Sequence, residues 1–403
     1  MFGALRSPRN IVFGNGQRAA LPRYVSALGK TVLVVTDARL EGEPAVRVLL
    51  GGLAEAGLDV AVFSGVEAEL PAESILAGVE RARTTGADVI VGLGGGSCMD
   101  AAKIIALLTT HGGAISDYYG EFKVPGKVLP LVALPTTAGT GSEVTPVAVV
   151  ADPGRATKVG ISSPYLIPDT AICDPELTVT CPPGLTAVSG ADALVHAIEA
   201  FTTAVREPNP NITHEHVFVG KNTLTDSYAV AAIGNIGRGL VRAVKDGRDI
   251  EARAWIMLGA LQAGLAFGSA GTSICHAVQY PVGALTHTPH GLGVALMLPY
   301  ALQFNRDFAL AEIAATSRAL GHAGAAMSDV DAADAGIAGI SDMLAQIAIP
   351  RTLADIGVRS EQLPWIAEQA LAANRLIKNN PRAVDRPGLD LLLQAAYKGE
   401  PAR

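Results

Sequence analysis

A chain of 403 residues exceeds the ~100–200 of a typical domain, which predicts two domains and excludes a peptide-sized or disulfide-stapled scaffold. Lys and Arg number 31 against 38 Asp and Glu, a net charge of −7 with no basic block to follow a phosphate backbone, which argues against nucleic acid as a partner. Apolar residues reach 49%, charged ones only 17%, and 44 glycines are present, a balance suited to buried parallel strands and closely packed helices rather than disorder. Cys98, Cys173, Cys181 and Cys275 are scattered without C-x-x-C spacing, and Met1 to Asn10 has no apolar leader core. No run approaches the ~18 apolar residues of a bilayer span. The expectation is a cytoplasmic enzyme with reduced thiols, no membrane partner and a small-molecule substrate.

In chain order, Thr31–Thr36, Val60–Ser64, Val89–Leu93, Val128–Pro135 and Val147–Ala151 read as short strands alternating with helical stretches. That alternation predicts a parallel sheet with helices on its faces. The tract Cys181-Pro182-Pro183-Gly184 stops the pattern, and long Ala/Leu-rich segments at helical spacing follow to the end. The expected division is an α/β domain over residues 1–184 and an all-α carboxy-terminal domain over 185–403. Thr202 to Lys221, with Pro208, Pro210, His214 and His216, is a polar interruption long enough for a functional loop. Lys378 to Arg382 reads as a linker before a last helix, Gly388–Tyr397.

Two turns carry the first chemical signal. Gly94-Gly95-Gly96-Ser97 follows a strand and opens a helix containing Asp100 and Lys103, so free amides and the positive helix end can face an anion. Alone, this could be a tight turn with Ser97 as cap and Asp100 closing a capping box. The second turn, Thr136-Thr137-Ala138-Gly139-Thr140-Gly141-Ser142, again follows a strand, and its hydroxyl density favours a dinucleotide crevice over a plain loop. Asp37 ends the strand Thr31–Thr36, where a carboxylate can accept both ribose hydroxyls and repel the extra phosphate of NADP, or cap the next helix. The glycine spacing is not G-x-G-x-x-G, so a variant dinucleotide fold is expected rather than the usual strand order.

The second signal is a set of possible metal ligands. Asp192 and His196 lie four apart in a helical pattern, one turn from each other on one face. His276 and His290 flank a Pro/Gly-marked bend in an apolar region. Spacing alone leaves this open: Asp192 could be the third residue of a helix capped by Ser189, and His276 an ordinary core histidine. One carboxylate with three imidazoles would suit Fe(II) or Zn(II) with a position left for a substrate oxygen. His287, His214 and His216 read as loop residues.

Taken together, the segments at 94–103, 134–145, 190–201 and 276–291 resemble the iron-containing (group III) alcohol dehydrogenases, with signatures of the form GGGSxxDxAK, PTTxGTGSE, DALxHAxE and a paired-histidine segment ending PHG. The resemblance spans essentially the whole chain. It implies a dinucleotide-binding α/β domain, a helical metal-binding domain and an active-site cleft between them. It further implies metal ligands at Asp192, His196, His276 and His290, with Fe(II) ahead of Zn(II). NAD contacts are implied at Asp37, Gly95, Gly96, Ser97, Asp100, Thr136, Thr137, Thr140, Ser142 and Lys158. Phe267 falls where the family places an aromatic in the substrate pocket. Tyr280 stands where many members have a histidine thought to assist proton transfer, and Glu69 where many have Asn near the cofactor. The implied activity is hydride transfer between NAD and an alcohol/aldehyde pair, in a homodimer or larger homo-oligomer. Thr202–Lys221 and Phe267–Pro281 are also similar to the hydroxyacid–oxoacid transhydrogenase branch, which retains its cofactor, and a non-redox dehydroquinate-synthase-like cyclase is a further alternative.

Overall fold

The computed structural model describes residues 1–152, 154 and 158–400. The chain forms two compact units, Arg6–Cys181 and a second made of Pro182–Arg403 together with Met1–Leu5. The first unit holds strands β1 (Asn10–Phe13), β2 (Thr31–Val35), β3 (Asp59–Phe63), β4 (Val89–Gly94), β5 (Gly120–Glu121), β6 (Leu131–Pro135), β7 (Val147–Val150), β8 (Val159–Ser162) and β9 (Thr170–Cys173). Six of them make an all-parallel sheet in the order β1-β9-β6-β4-β2-β3.

Parallel strands need crossover connections, which cover both sheet faces and favour near-continuous apolar runs. Both conditions hold. Leu33, Val35 and Ile90 pack on one side with Ile75, Val79 and Ala82 of the helix Ala72–Thr85 and Ile104, Ile105 and Leu108 of the helix Gly96–His111. Val32, Val34, Val89 and Val91 pack on the other side with Leu21, Val25, Val46, Leu49 and Leu53. Each such fully buried side chain contributes ~1.5–3 kcal/mol, so alternate residues of one strand hold both layers.

From β2 the chain runs outward to β3, then returns past β2 to β4 and continues through β6 to β9. The order reverses between β2 and β4, and the carboxyl ends there carry Asp37 and Gly94–Gly96. Such a switch point is where open α/β sheets hold ligands. With β1 at the far edge, the arrangement is a variant of the usual dinucleotide-binding order, as expected.

Two details differ from the sequence reading. Val147–Val150 is not in the parallel sheet: β7 pairs antiparallel with β8 in a separate three-stranded sheet with β5. The connection from Val150 to Val159 is too short for a crossover, which takes a dozen or more residues. The segment Lys378–Arg382 is not a linker either. Asn379 and Asn380 are buried, Asn379 Nδ2 donates to the carbonyls of Ala270 (3.0 Å) and Thr272 (3.1 Å), and Asn380 exchanges amide hydrogen bonds with Asn305 at 2.7 and 2.9 Å. These side chains satisfy polar groups at helix ends, which explains a polar tract inside a core.

The second unit is helical, with Pro183–Thr202, Thr223–Lys245, Ile250–Ala270, Ile274–Thr286 and His290–Asn305 as its main elements around the histidines, and a last helix Arg386–Lys398. Pro183–Thr202 is buried along most of its length. Residues 203–222 hold only the short helix Ile212–Glu215; Val217, Phe218 and Val219 are buried, and the Val219 amide donates to the Ser269 carbonyl at 2.7 Å. No single helix among the described residues is long and apolar enough to cross a membrane.

Candidate functional site

In the helical unit, Pro183 starts the first helix, so Ser189 lies inside it and does not cap it; its hydroxyl donates to the Thr186 carbonyl at 3.4 Å. Asp192 and His196 are therefore interior, one turn apart, with Asp192 Oδ1 at 3.7 Å from His196 Nε2. His290 is the first residue of its helix, and its Nε2 lies 3.8 Å from the same carboxylate oxygen. Gly291 permits this approach: a Cβ there would stand 2.2 Å from the Val188 carbonyl oxygen and 3.0 Å from Asp192 Cβ. Any side chain would push the two helices apart and His290 away from Asp192.

His276 completes the group. One ligand atom from each of Asp192, His196, His276 and His290 lies within 4.8 Å of all the others. His196 and His276 stack with centroids 4.8 Å apart, and His290 is tilted at 58° against His276 with centroids 5.2 Å apart. Phe267 stacks on the His196 ring, centroids 4.2 Å apart and planes at 17°. Tyr280 lies beside His290 at 6.2 Å. His214, His216 and His287 are outside the cluster.

A residue without an assigned role in the sequence reading organises this centre. Glu199, three positions after His196, is buried; its Oε2 accepts from His276 Nδ1 at 2.6 Å and from the Ser273 amide at 2.9 Å, and its Oε1 accepts from the Cys275 amide at 2.7 Å. Burial pushes its carboxyl up, but the His276 ring and the two amides together hold it below the ordinary value. The carboxylate thus caps the helix Ile274–Thr286 from a neighbouring helix and fixes which His276 nitrogen carries the proton. The other nitrogen, Nε2, is buried without a hydrogen-bond partner. A buried, unsatisfied imidazole nitrogen beside a carboxylate and two further imidazoles fits a divalent cation. The available signal in the sequence was an acidic residue inside the apolar run Ala191 to Phe201.

In the α/β unit the two polar turns come together. Gly95 caps the helix Gly96–His111 without a side-chain bond, leaving its first-turn amides unused by any cap. A Cβ on Gly96 would meet Thr140 Cγ2 at 2.6 Å, and one on Gly95 would lie 3.5 Å from Thr137. The cradle is one that a side chain would fill. Thr136 Oγ1 is buried there without a partner, which fits a polar ligand atom. These features suit the pyrophosphate and ribose of a dinucleotide.

Asp100 and Ser142 hold the turns in place: Ser142 Oγ donates to Asp100 Oδ1 at 2.5 Å, and the Val149 amide donates to Oδ2 at 2.9 Å. Beneath them the buried Lys103 donates to the carbonyls of Thr145 (2.9 Å) and Val147 (2.8 Å). Burial lowers its pKa to about 8 and raises that of nearby Glu143 to about 7. Asp37 caps the short helix Ala38–Glu41, its Oδ1 accepting from the Leu40 amide at 2.9 Å. Its Oδ2 lies 3.8 Å from the Cys98 thiol, which burial, then Asp37, push up to about 12, so this cysteine is no nucleophile. Lys158 pairs with Glu69.

Comparison with known proteins accounts for both units. The family model for iron-containing alcohol dehydrogenase matches residues 8–175, and that for the C-terminal region of the Fe-containing alcohol dehydrogenase family matches residues 186–397. The chain is similar to long-chain-alcohol dehydrogenase 1 of Geobacillus thermodenitrificans, 35% identical over 96% of this chain and 94% of that one. A solved 1,3-propanediol oxidoreductase superposes with a TM-score of 0.91 at 33% identity, over 98% of this chain and 100% of that one. Sulfoacetaldehyde reductase from Bifidobacterium kashiwanohense, solved in complex with NAD+, superposes with a TM-score of 0.84 at 30% identity, over 98% and 99%. The fold and motifs define a two-part α/β-plus-helical oxidoreductase. The chain belongs to the iron-containing alcohol dehydrogenase family.

Proposed function

We propose that this protein transfers hydride between NAD and an alcohol/aldehyde pair at a centre where Asp192, His196, His276 and His290 hold a divalent cation, Fe(II) by family. The observation that carries the reading is the convergence of these four donors within 4.8 Å, with His276 Nε2 buried and unsatisfied. A bound cation supplies Lewis acidity to the substrate oxygen, and NAD supplies or accepts the hydride. Glu199 keeps His276 in the ligating tautomer. Phe267, stacked on His196, restrains that ring and excludes water from one side of it. Gly95, Gly96, Ser97, Thr136, Thr137 and Thr140 line the nucleotide crevice, while Asp100 and Ser142 brace it. The test is NADH formation from a panel of alcohols by protein loaded anaerobically with Fe(II), alongside a 4-hydroxy acid plus a 2-oxo acid without added nucleotide. Turnover only in the second assay would replace this reading with the transhydrogenase one.

Cofactor choice follows from Asp37. The unmodified protein should prefer NAD over NADP, because the carboxylate would face the added phosphate. Asp37→Gly should narrow the ratio of kcat/KM values by ~10–100-fold, the range expected for like charges a few ångströms apart. It should cost little stability, since glycine replaces an acidic helix cap at a few tenths of a kcal/mol. Equal efficiency with both cofactors before mutation would remove Asp37 from this role.

Tyr280 we assign to substrate binding. An ordinary phenol, pKa near ~10, exchanges protons poorly at neutral pH, whereas one hydrogen bond to substrate contributes ~0.5–1.5 kcal/mol. Tyr280→Phe should therefore raise KM by ~2–10-fold with kcat nearly unchanged. A fall of ~1000-fold in single-turnover hydride transfer would instead make the phenol an essential acid.

A further inference from the structure

The loop between β3 and the helix Ala72–Thr85 is anchored at both ends and strained between them. At its start, the Val66 amide donates to the Thr36 carbonyl at 3.3 Å, and Gly65 bridges to Asp37. At its end, the Ala151 amide donates to the Leu70 carbonyl at 3.2 Å, and Pro71 bridges to Ala151. Between these anchors Glu69 (φ 66°) and Leu70 (φ 56°) both adopt the left-handed conformation, which two successive non-glycine residues rarely share. Burial of Leu70 accounts for its own geometry. Glu69 is different, because its side chain is 61% exposed and gains no packing; what it reaches is the Lys158 ammonium, 27% exposed, with which it forms an ion pair. Strain of this kind concentrates at ligand clamps.

Lys158 directly precedes β8, whose Val159 pairs with Val150 of β7. The neighbouring Val149 amide donates to Asp100 Oδ2 at 2.9 Å, so the lysine stands at the end of the strand pair that braces Asp100, and its charge opposes the effect of burial on that carboxyl. Asp100 lies in the first turns of the helix that opens at the glycine cradle, and on the dinucleotide reading Lys158 is therefore a cation beside the nucleotide crevice. Alone, it would draw the anionic part of a dinucleotide. Held by Glu69, it is neutralised, and a nucleotide oxygen must compete with the carboxylate for it.

We propose that Glu69 is a counter-charge that competes with the dinucleotide for the Lys158 ammonium, so that the cofactor is held less tightly and leaves faster than Lys158 alone would allow. This makes Glu69 a positioning residue acting through Lys158, and it rests on the dinucleotide reading given above. The test is direct NADH binding by fluorescence titration, with stopped-flow displacement for the release rate. Glu69→Gln should tighten NADH binding by ~3–5-fold and slow its release, the size of effect expected for a partly exposed pair. Glu69→Asn should do the same without backbone cost, since asparagine tolerates the left-handed conformation. Neither change should have an effect in a Lys158→Gln background, and the gain should shrink as salt rises. Unchanged or weaker NADH binding by both Glu69 variants overturns the proposal, as does equal tightening in the Lys158→Gln background. No NADH binding by the unmodified protein would instead overturn the dinucleotide reading, and the proposal with it.

Discussion

Replacing His276 or His290 with alanine should strip the protein of its metal and lower turnover by at least ~1000-fold. The four donors converge from three helices, Pro183–Thr202, Ile274–Thr286 and His290–Asn305, and removing one leaves three ligands for a cation whose affinity depends on a filled and oriented set. A cation polarising a substrate oxygen lowers the barrier by several kcal/mol, and ~4 kcal/mol is about three orders of magnitude in rate. His287→Asn is the matched control. His287 ends the helix Ile274–Thr286 at φ 53°, a conformation asparagine accepts, and it is outside the donor cluster, so metal and turnover should persist. Mass spectrometry of metal content after anaerobic loading decides each case. Stoichiometric metal with full turnover in either alanine variant would remove that histidine from the ligand set.

The parts of this fold legible in the sequence are those where a local pattern coincides with the tertiary demand. Val32–Val35 and Val89–Leu93 are continuous apolar runs because both sheet faces are covered, and their strands begin where expected. β8 and β9 carry no such pattern. Val159–Ser162 includes a glycine and a serine, and Thr170–Cys173 is four residues long; they are strands because β7 and β6 with β1 pair with them. The same logic divides the site. Asp192 and His196 share a helical face by spacing alone, and the two glycine turns follow visible strands. His290 joins them through the close helix approach at Gly291 and His276 through its hydrogen bond to Glu199, neither of which one sequence reveals. Asn379 and Asn380 read as linker because their partners, Ala270, Thr272 and Asn305, are 75 or more positions away.

Glu199→Gln should weaken metal binding by ~10–100-fold while leaving all four donor residues in place. Every group facing the carboxylate donates: the Ser273 and Cys275 amides and His276 Nδ1–H. A glutamine offers one acceptor oxygen and one NH2, so one arrangement sets the NH2 against the Cys275 amide, with a buried donor left unsatisfied at a cost of ~1–3 kcal/mol. In the other the NH2 faces Ser273 and His276. There the ring can accept that hydrogen bond at Nδ1 only by moving its own proton to Nε2, and a protonated Nε2 cannot ligate a cation. Either outcome separates orientation of His276 from simple support of the fold, because metal affinity and thermal unfolding of the metal-free protein are measured independently. Glu199→Asp keeps the charge but is one methylene shorter, and should fall between the parent and Glu199→Gln in affinity. Parental metal affinity in Glu199→Gln would show that His276 is oriented by its packing between His196 and His290 rather than by the carboxylate.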